Sequence, residues 1–97
     1  MAELAGIFKA LGDGTRLAIF ELIRERCGGV GIPEDQVGNT VSRIADEFEV
    51  SLSTVSHHLK ELRNAGLIVC EKRGQSVHCT PNEDTLKEIE GFLGVSV

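Results

Sequence analysis

No stretch of this chain approaches the ~20 consecutive apolar residues a bilayer-spanning helix needs, so a protein threaded through a membrane by helices is excluded. The opening residues, MAELAGIFKALGDGTR, lack a basic segment followed by an unbroken apolar one, so no secretory signal is expected and cytoplasmic residence is. Cysteine is scarce. Cys27, Cys70 and Cys79 are too few, and odd in number, for a disulfide framework, so any chemistry they carry is expected to be metal or redox chemistry. A nucleophile, base and orienting acid in recognisable company are also missing: His57-His58 beside serines is not a triad, which argues against an enzyme. Nor is there a surplus of positive charge, the net being −5, which read alone argues against nucleic acid.

Charge is nevertheless segregated along the chain. Between Ser51 and Thr80, Lys60, Arg63, Lys72 and Arg73 outnumber Glu61 and Glu71 by four to two, whereas the remainder holds six cations to thirteen anions. A weakly positive face on an acidic body predicts a protein that binds DNA through good shape fit and as a dimer. At 97 residues, 41% hydrophobic and 26% charged, the chain is expected to form one globular domain over residues 1–97, with a modest core that a dimer interface would extend.

The apolar periodicity predicts a first helix from about Ala2 to Leu11, carrying Leu4, Ile7, Phe8 and Leu11, broken at Gly12. Asp13 reads as the cap of a second helix that ends near Cys27. Residues 28–39, with four glycines and a proline, read as a mobile loop. Thr40 caps a short third helix with Val41, Ile44, Ala45 and Phe48 on one face. A tight turn over residues 49–53 leads to a fourth helix, from about Ser53 to Ala65, which Gly66 ends. Two strands, residues 67–72 and 76–80, flank the turn Arg73-Gly74-Gln75. Pro81 stops the second strand, and Asn82 caps a last helix with Leu86, Ile89, Phe92 and Leu93. The expected fold is mainly α with a small β-hairpin, in the order ααααββα.

A short helix, a tight turn and a second helix with a polar outer face form a helix-turn-helix. Groove entry asks for small hydroxyl side chains at the start of the second helix, where phosphates and base edges lie close. Ser53, Thr54, Ser56 and His57 project there, away from the Val55, Leu59 and Leu62 stripe, and Lys60 continues the outward face to neutralise phosphate. Helical periodicity alone equally describes a helix that only covers a core. The hairpin tip adds Lys72, Arg73 and Gln75 around Gly74, a basic wing suited to the sugar-phosphate backbone or the minor groove. Helix, turn and wing in this order favour double-stranded DNA as the partner.

At these residues the chain resembles the ArsR/SmtB family of winged helix-turn-helix transcriptional repressors. The run VSLSTVSHHLKELRNAGLIVCEKRGQSVHCTPN is similar to the family's recognition helix and wing, and FKALGDGTRLAIFELI to its opening block. The resemblance implies a homodimer joined through the first and last helices, seated on a palindromic operator and released by an effector. Four departures stand out. Gly14 replaces the usual proline at the first helical position. Leu52 stands where glutamine is common, which removes one expected base contact. The loop of residues 28–39 is about ten residues longer than a lean member needs. Thr40 and Ser42 occupy the places of the cysteines that hold soft ions in metal-sensing relatives, and the last helix has no histidine for zinc or nickel.

One candidate effector site remains. A hairpin turning at Gly74-Gln75 pairs Arg73 with Ser76, Lys72 with Val77, Glu71 with His78 and Cys70 with Cys79. Directly opposed side chains have Cβ atoms about 4.5–5.5 Å apart, so two thiolates there suit a thiophilic metal or metalloid ion such as trivalent arsenic, or an oxidant. Two small semi-buried packing residues explain the same pair. His78 falls on the opposite face, a register slip of one residue would separate the cysteines, and Cys27 joins only if the fold brings it near. Two rival functions are a winged helix that docks on protein, which would carry apolar anchors on the recognition face, and a regulator with no effector.

Overall fold

The computed structural model describes residues 3–27 and 40–94. The long loop, Ala2 and the side chain of Cys27 lie outside the described residues. Seven elements follow in order: α1 (Leu4–Leu11), α2 (Gly14–Cys27), α3 (Val41–Phe48), α4 (Leu52–Asn64), β1 (Ile68–Arg73), β2 (Ser76–Pro81) and α5 (Glu83–Leu93).

The helix starts are set by side chains that satisfy orphan amides. Asp13 accepts from the Arg16 N–H at 2.9 Å, a bond that holds its carboxyl below the usual carboxylate range. Thr40 accepts from the Arg43 N–H at 3.3 Å, and Asn82 from the Asp84 N–H at 3.1 Å. The fourth helix departs from expectation at its start. It begins at Leu52 rather than Ser53, because Ser51 is the cap and accepts from the Thr54 N–H at 3.2 Å. That change shortens the interhelix turn to residues 49–51. Glu49 makes the bend with φ 53°, a left-handed conformation usually left to glycine. Gly66 takes φ 78° after α4, where the chain reverses into β1.

Strands β1 and β2 pair antiparallel in the expected register, Cys70 opposite Cys79 and Arg73 opposite Ser76. Each runs one residue further than expected at its C-terminal end, so Pro81 is the last residue of β2 rather than its stop. Proline is tolerated there because β2 is an edge strand that needs no further N–H donor at its end. Gly74 has φ 62° at the first central position of the two-residue turn, the geometry of a type II′ hairpin. Thr40 adds an isolated bridge to His78, which ties the start of α3 to the wing.

The core forms where α1, α2, α3 and α4 meet the inner face of the hairpin. Ile7, Ile19, Ile23, Ile44, Val55, Leu62, Leu67 and Cys79 are fully buried. Each large aliphatic side chain there contributes about 1.5–3 kcal/mol relative to exposure. The last helix is attached more lightly. Thr85 is its one buried residue, donating to the Gly66 carbonyl at 2.6 Å, while Leu86 and Ile89 pack partly against the core. Phe92 reaches back to Phe8 on α1, ring centroids 5.5 Å apart and tilted by 54°. No helix among the described residues is long and apolar enough to cross a membrane.

Candidate nucleic-acid interface

Three side chains of α4, Val55, Leu59 and Leu62, point into the core and fix its rotation. The opposite face is thereby delivered to solvent, and Ser53, Thr54, Ser56, His57 and Lys60 all lie on it, exposed. At the helix start the hydroxyls cluster: Ser51 Oγ lies 3.1 Å from Ser53 Oγ and 2.8 Å from Thr54 Oγ1. The N-terminus of a 13-residue helix adds unpaired amides and the positive end of its dipole. This is a surface suited to anions, and its hydroxyls both donate and accept.

The wing lies beside it. Lys72, Gly74 and Gln75 are exposed at the hairpin tip, and Arg73 is half-buried. Arg73 is not idle: its Nε and Nη2 both donate to Glu71 at 3.3 Å, and that pairing holds the Glu71 carboxyl below its ordinary range. A phosphate at the tip therefore competes with Glu71 for the same guanidinium.

Between wing and α4 runs an open groove of about 1040 Å³, its walls including Ser56 and Leu52 from α4, Arg73 and Gln75 from the hairpin, and Ser42 and Arg43 from α3. The last two belong to this surface and were outside the sequence expectation, which placed the positive face between Ser51 and Thr80. The signal was present: Arg43 sits in the first turn of a threonine-capped helix whose other charges are Asp46 and Glu47. His57 stands 5.8 Å, ring to ring, from the half-buried His58. The Cys70 and Cys79 sulfurs lie 3.6 Å apart behind the groove, against α4. Among the described residues no group of three metal-ligating side chains assembles.

Known proteins share this arrangement. Residues 11–71 match the family model described as a helix-turn-helix domain. A helix-turn-helix-type transcriptional regulator of Methanocaldococcus jannaschii is 38% identical over 87 residues, 90% of this chain and 86% of its own length. The transcriptional repressor SdpR of Bacillus subtilis is 32% identical over 82 residues, 84% of this chain and 79% of its own. A crystal structure of an ArsR family transcriptional regulator superposes with a TM-score of 0.73 at 28% identity, covering 94% of this chain and 88% of that one. Capped helix-turn-helix, polar recognition face, basic hairpin and relatives matched over most of their length thus agree, and the chain belongs to the ArsR/SmtB family of winged helix-turn-helix DNA-binding transcriptional regulators.

Proposed function

We propose that this protein is a homodimeric repressor that reads a two-fold symmetric operator with α4 and holds the flanking backbone with its wing. The observation that carries the reading is the division of α4: the apolar stripe is wholly buried and every residue named for base or phosphate contact is exposed. In this reading Ser53, Thr54, Ser56 and His57 meet base edges and nearby phosphates, and Lys60 neutralises backbone charge. Leu52, 55% exposed at the groove, offers an apolar surface for a thymine methyl in place of an amide contact. Lys72, Arg73 and Gln75 follow the backbone from the wing, and Arg43 from α3.

The second copy is supplied by the α1 and α5 face. Phe8 on α1 is 40% exposed, and Phe92 and Leu93, on a last helix with Thr85 as its one buried residue, are 63% and 61% exposed, together an apolar surface. A copy placed there by a two-fold axis presents two recognition helices to successive turns of the major groove, about 34 Å apart. The homodimeric winged helix-turn-helix DNA-binding domain from Mycobacterium bovis, with a TM-score of 0.71, has the same fold and is named as a dimer. Release by an effector is part of the proposal, since a cadmium resistance regulatory protein homologue of Staphylococcus aureus is among the relatives, 31% identical.

The test is an electrophoretic shift on the protein's own upstream DNA and on random duplex of equal length. Ser56→Ala and His57→Ala are each expected to weaken the upstream complex by about 1–3 kcal/mol while leaving the random one nearly unchanged. Equal losses on both duplexes would remove base readout from these residues.

A further inference from the structure

The hairpin register has a consequence for the two wing cysteines. Pro81 has no N–H, so its pair with Ile68 cannot be one that exchanges both backbone hydrogen bonds. Such pairs alternate along an antiparallel ladder. Val69 and Thr80 are then the hydrogen-bonded pair, and Cys70 and Cys79 the non-hydrogen-bonded one, in which Cα atoms approach to about 4.5 Å. That spacing lies inside the range a disulfide spans. The sulfurs are already 3.6 Å apart, close enough to share a hydrogen bond.

We propose that Cys70 and Cys79 are a dithiol modification site, converted by a peroxide-class oxidant into an intrachain disulfide that weakens the hold on DNA. The DNA consequence rests on the function proposed above; the disulfide itself does not.

The two sulfurs differ in the way the chemistry requires. Cys79 is fully buried among core side chains, whereas Cys70 is half-buried. Either thiol can donate across this contact, but a Cys70 thiolate can only accept from Cys79, and that bond, with a smaller contribution from the Arg63 charge, brings the Cys70 thiol from 9.0 down to about 7. Cys70 is thus the accessible thiolate and Cys79 the protected resolving thiol. Both line a pocket of about 310 Å³ whose opposite wall is α4 itself, through Ser56, Leu59, Lys60 and Arg63. An oxidation needs only these two sulfurs, and Glu71 and His78, next in the ladder, face the other side of the hairpin.

The reaction balances with peroxide as the sole oxidant. The Cys70 thiolate attacks one peroxide oxygen; an S–O bond forms, the O–O bond breaks, and hydroxide leaves and takes a proton to become water. Cys79 then gives up its thiol proton and attacks the Cys70 sulfur. The S–S bond forms, the S–O bond breaks, and the departing hydroxide takes that proton as the second water. The two sulfurs lose two electrons, and the two peroxide oxygens receive them. Closing from 3.6 Å to the ~2.05 Å of a disulfide turns both side chains and fixes the strand spacing beside α4, which packs directly on β1. Leu59 and Lys60, which line the same pocket, belong to the recognition helix, and the basic tip begins two residues after Cys70.

The experiment uses the full chain with Cys27→Ser, so that only the wing thiols remain, titrated with hydrogen peroxide. Peptide mapping is expected to find residues 70 and 79 joined with the loss of two hydrogens, reversed by dithiothreitol. Operator affinity is expected to fall by between about 5- and 150-fold on oxidation. Cys70→Ala, at the half-buried position, keeps reduced-state binding and loses the response. Cys79→Ala leaves Cys70 trapped as a sulfenic acid by dimedone. No linked peptide overturns the site, and a linked peptide with unchanged affinity overturns its control of DNA. Release by arsenite or cadmium without oxidant, abolished by Cys70→Ala, overturns the disulfide in favour of a bound ion. If the reduced protein binds no DNA, the function proposed above fails, and the mapping alone decides the disulfide.

Discussion

On the side formed by α3, α4 and the wing, the exposed surface is mostly polar, with serines, a threonine, a histidine, lysines and arginines around Leu52; on the side formed by α1 and α5, Phe8, Phe92 and Leu93 stand exposed among charged residues. Both sides are anchored from beneath by the same aliphatic core, so their exposure is not a failure of burial. The first keeps polar atoms in water, a surface on which phosphates and base edges could replace that water as the proposed function requires. The second keeps aromatic area in water, an arrangement a second copy relieves and DNA does not. Capping follows the same division. The α4 N-terminus is a cluster of three hydroxyls, while α5, with Glu83 and Asp84 in its first turn, carries negative charge where DNA would be repelled.

Phe92→Glu puts the largest expected strain on this comparison. In the proposed two-fold dimer each copy contributes the residue to the interface, so losing its burial twice is expected to cost the dimer about 3 kcal/mol or more. Sedimentation is expected to show a monomer at micromolar concentration, with operator binding abolished alongside. A variant that stays dimeric would place the interface elsewhere.

The wing comes next. Replacing Lys72 and Arg73 by alanine is expected to flatten the salt dependence of binding by about 0.9 in log–log slope for each phosphate left without its cation. An unchanged slope would mean that the tip does not touch the backbone.

Much of this division was legible in the sequence. The apolar spacing on α4 placed Val55, Leu59 and Leu62 inside and therefore Ser53, Thr54, Ser56 and His57 outside, because one helical period fixes both faces at once. The glycine at the hairpin tip fixed the register and with it the cysteine pairing. Ser51 was less legible: serines at 51 and 53 both qualify as caps, and the choice depends on which backbone is already extended. Arg43 was missed because its neighbours in the groove come from α4 and the hairpin, a closeness that only the tertiary fold creates. On the first and last helices, periodicity named the apolar residues without dividing them. Ile7 is fully buried, Leu4, Leu11, Leu86 and Ile89 are half-buried against the core, and Phe8, Phe92 and Leu93 stay outside.

Glu71→Gln is the smallest effect and sharpens the electrostatic side of the comparison. Glu71 holds the Arg73 guanidinium through two hydrogen bonds, so removing its charge is expected to give a small gain in DNA affinity, largest at low salt. Weaker binding would mean that Glu71 positions Arg73 for DNA instead of competing with it.

Hydrogen exchange with and without operator DNA tests the division most directly. Bound DNA is expected to slow exchange at the amides of residues 52–60 and 71–76 and at the start of α3. Those of α1 and α5 are expected to keep the rates they have in the free dimer and to quicken only when Phe92→Glu separates the copies. Protection by DNA that falls on α1 and α5, with α4 and the wing unchanged, would contradict the assignment of the two sides.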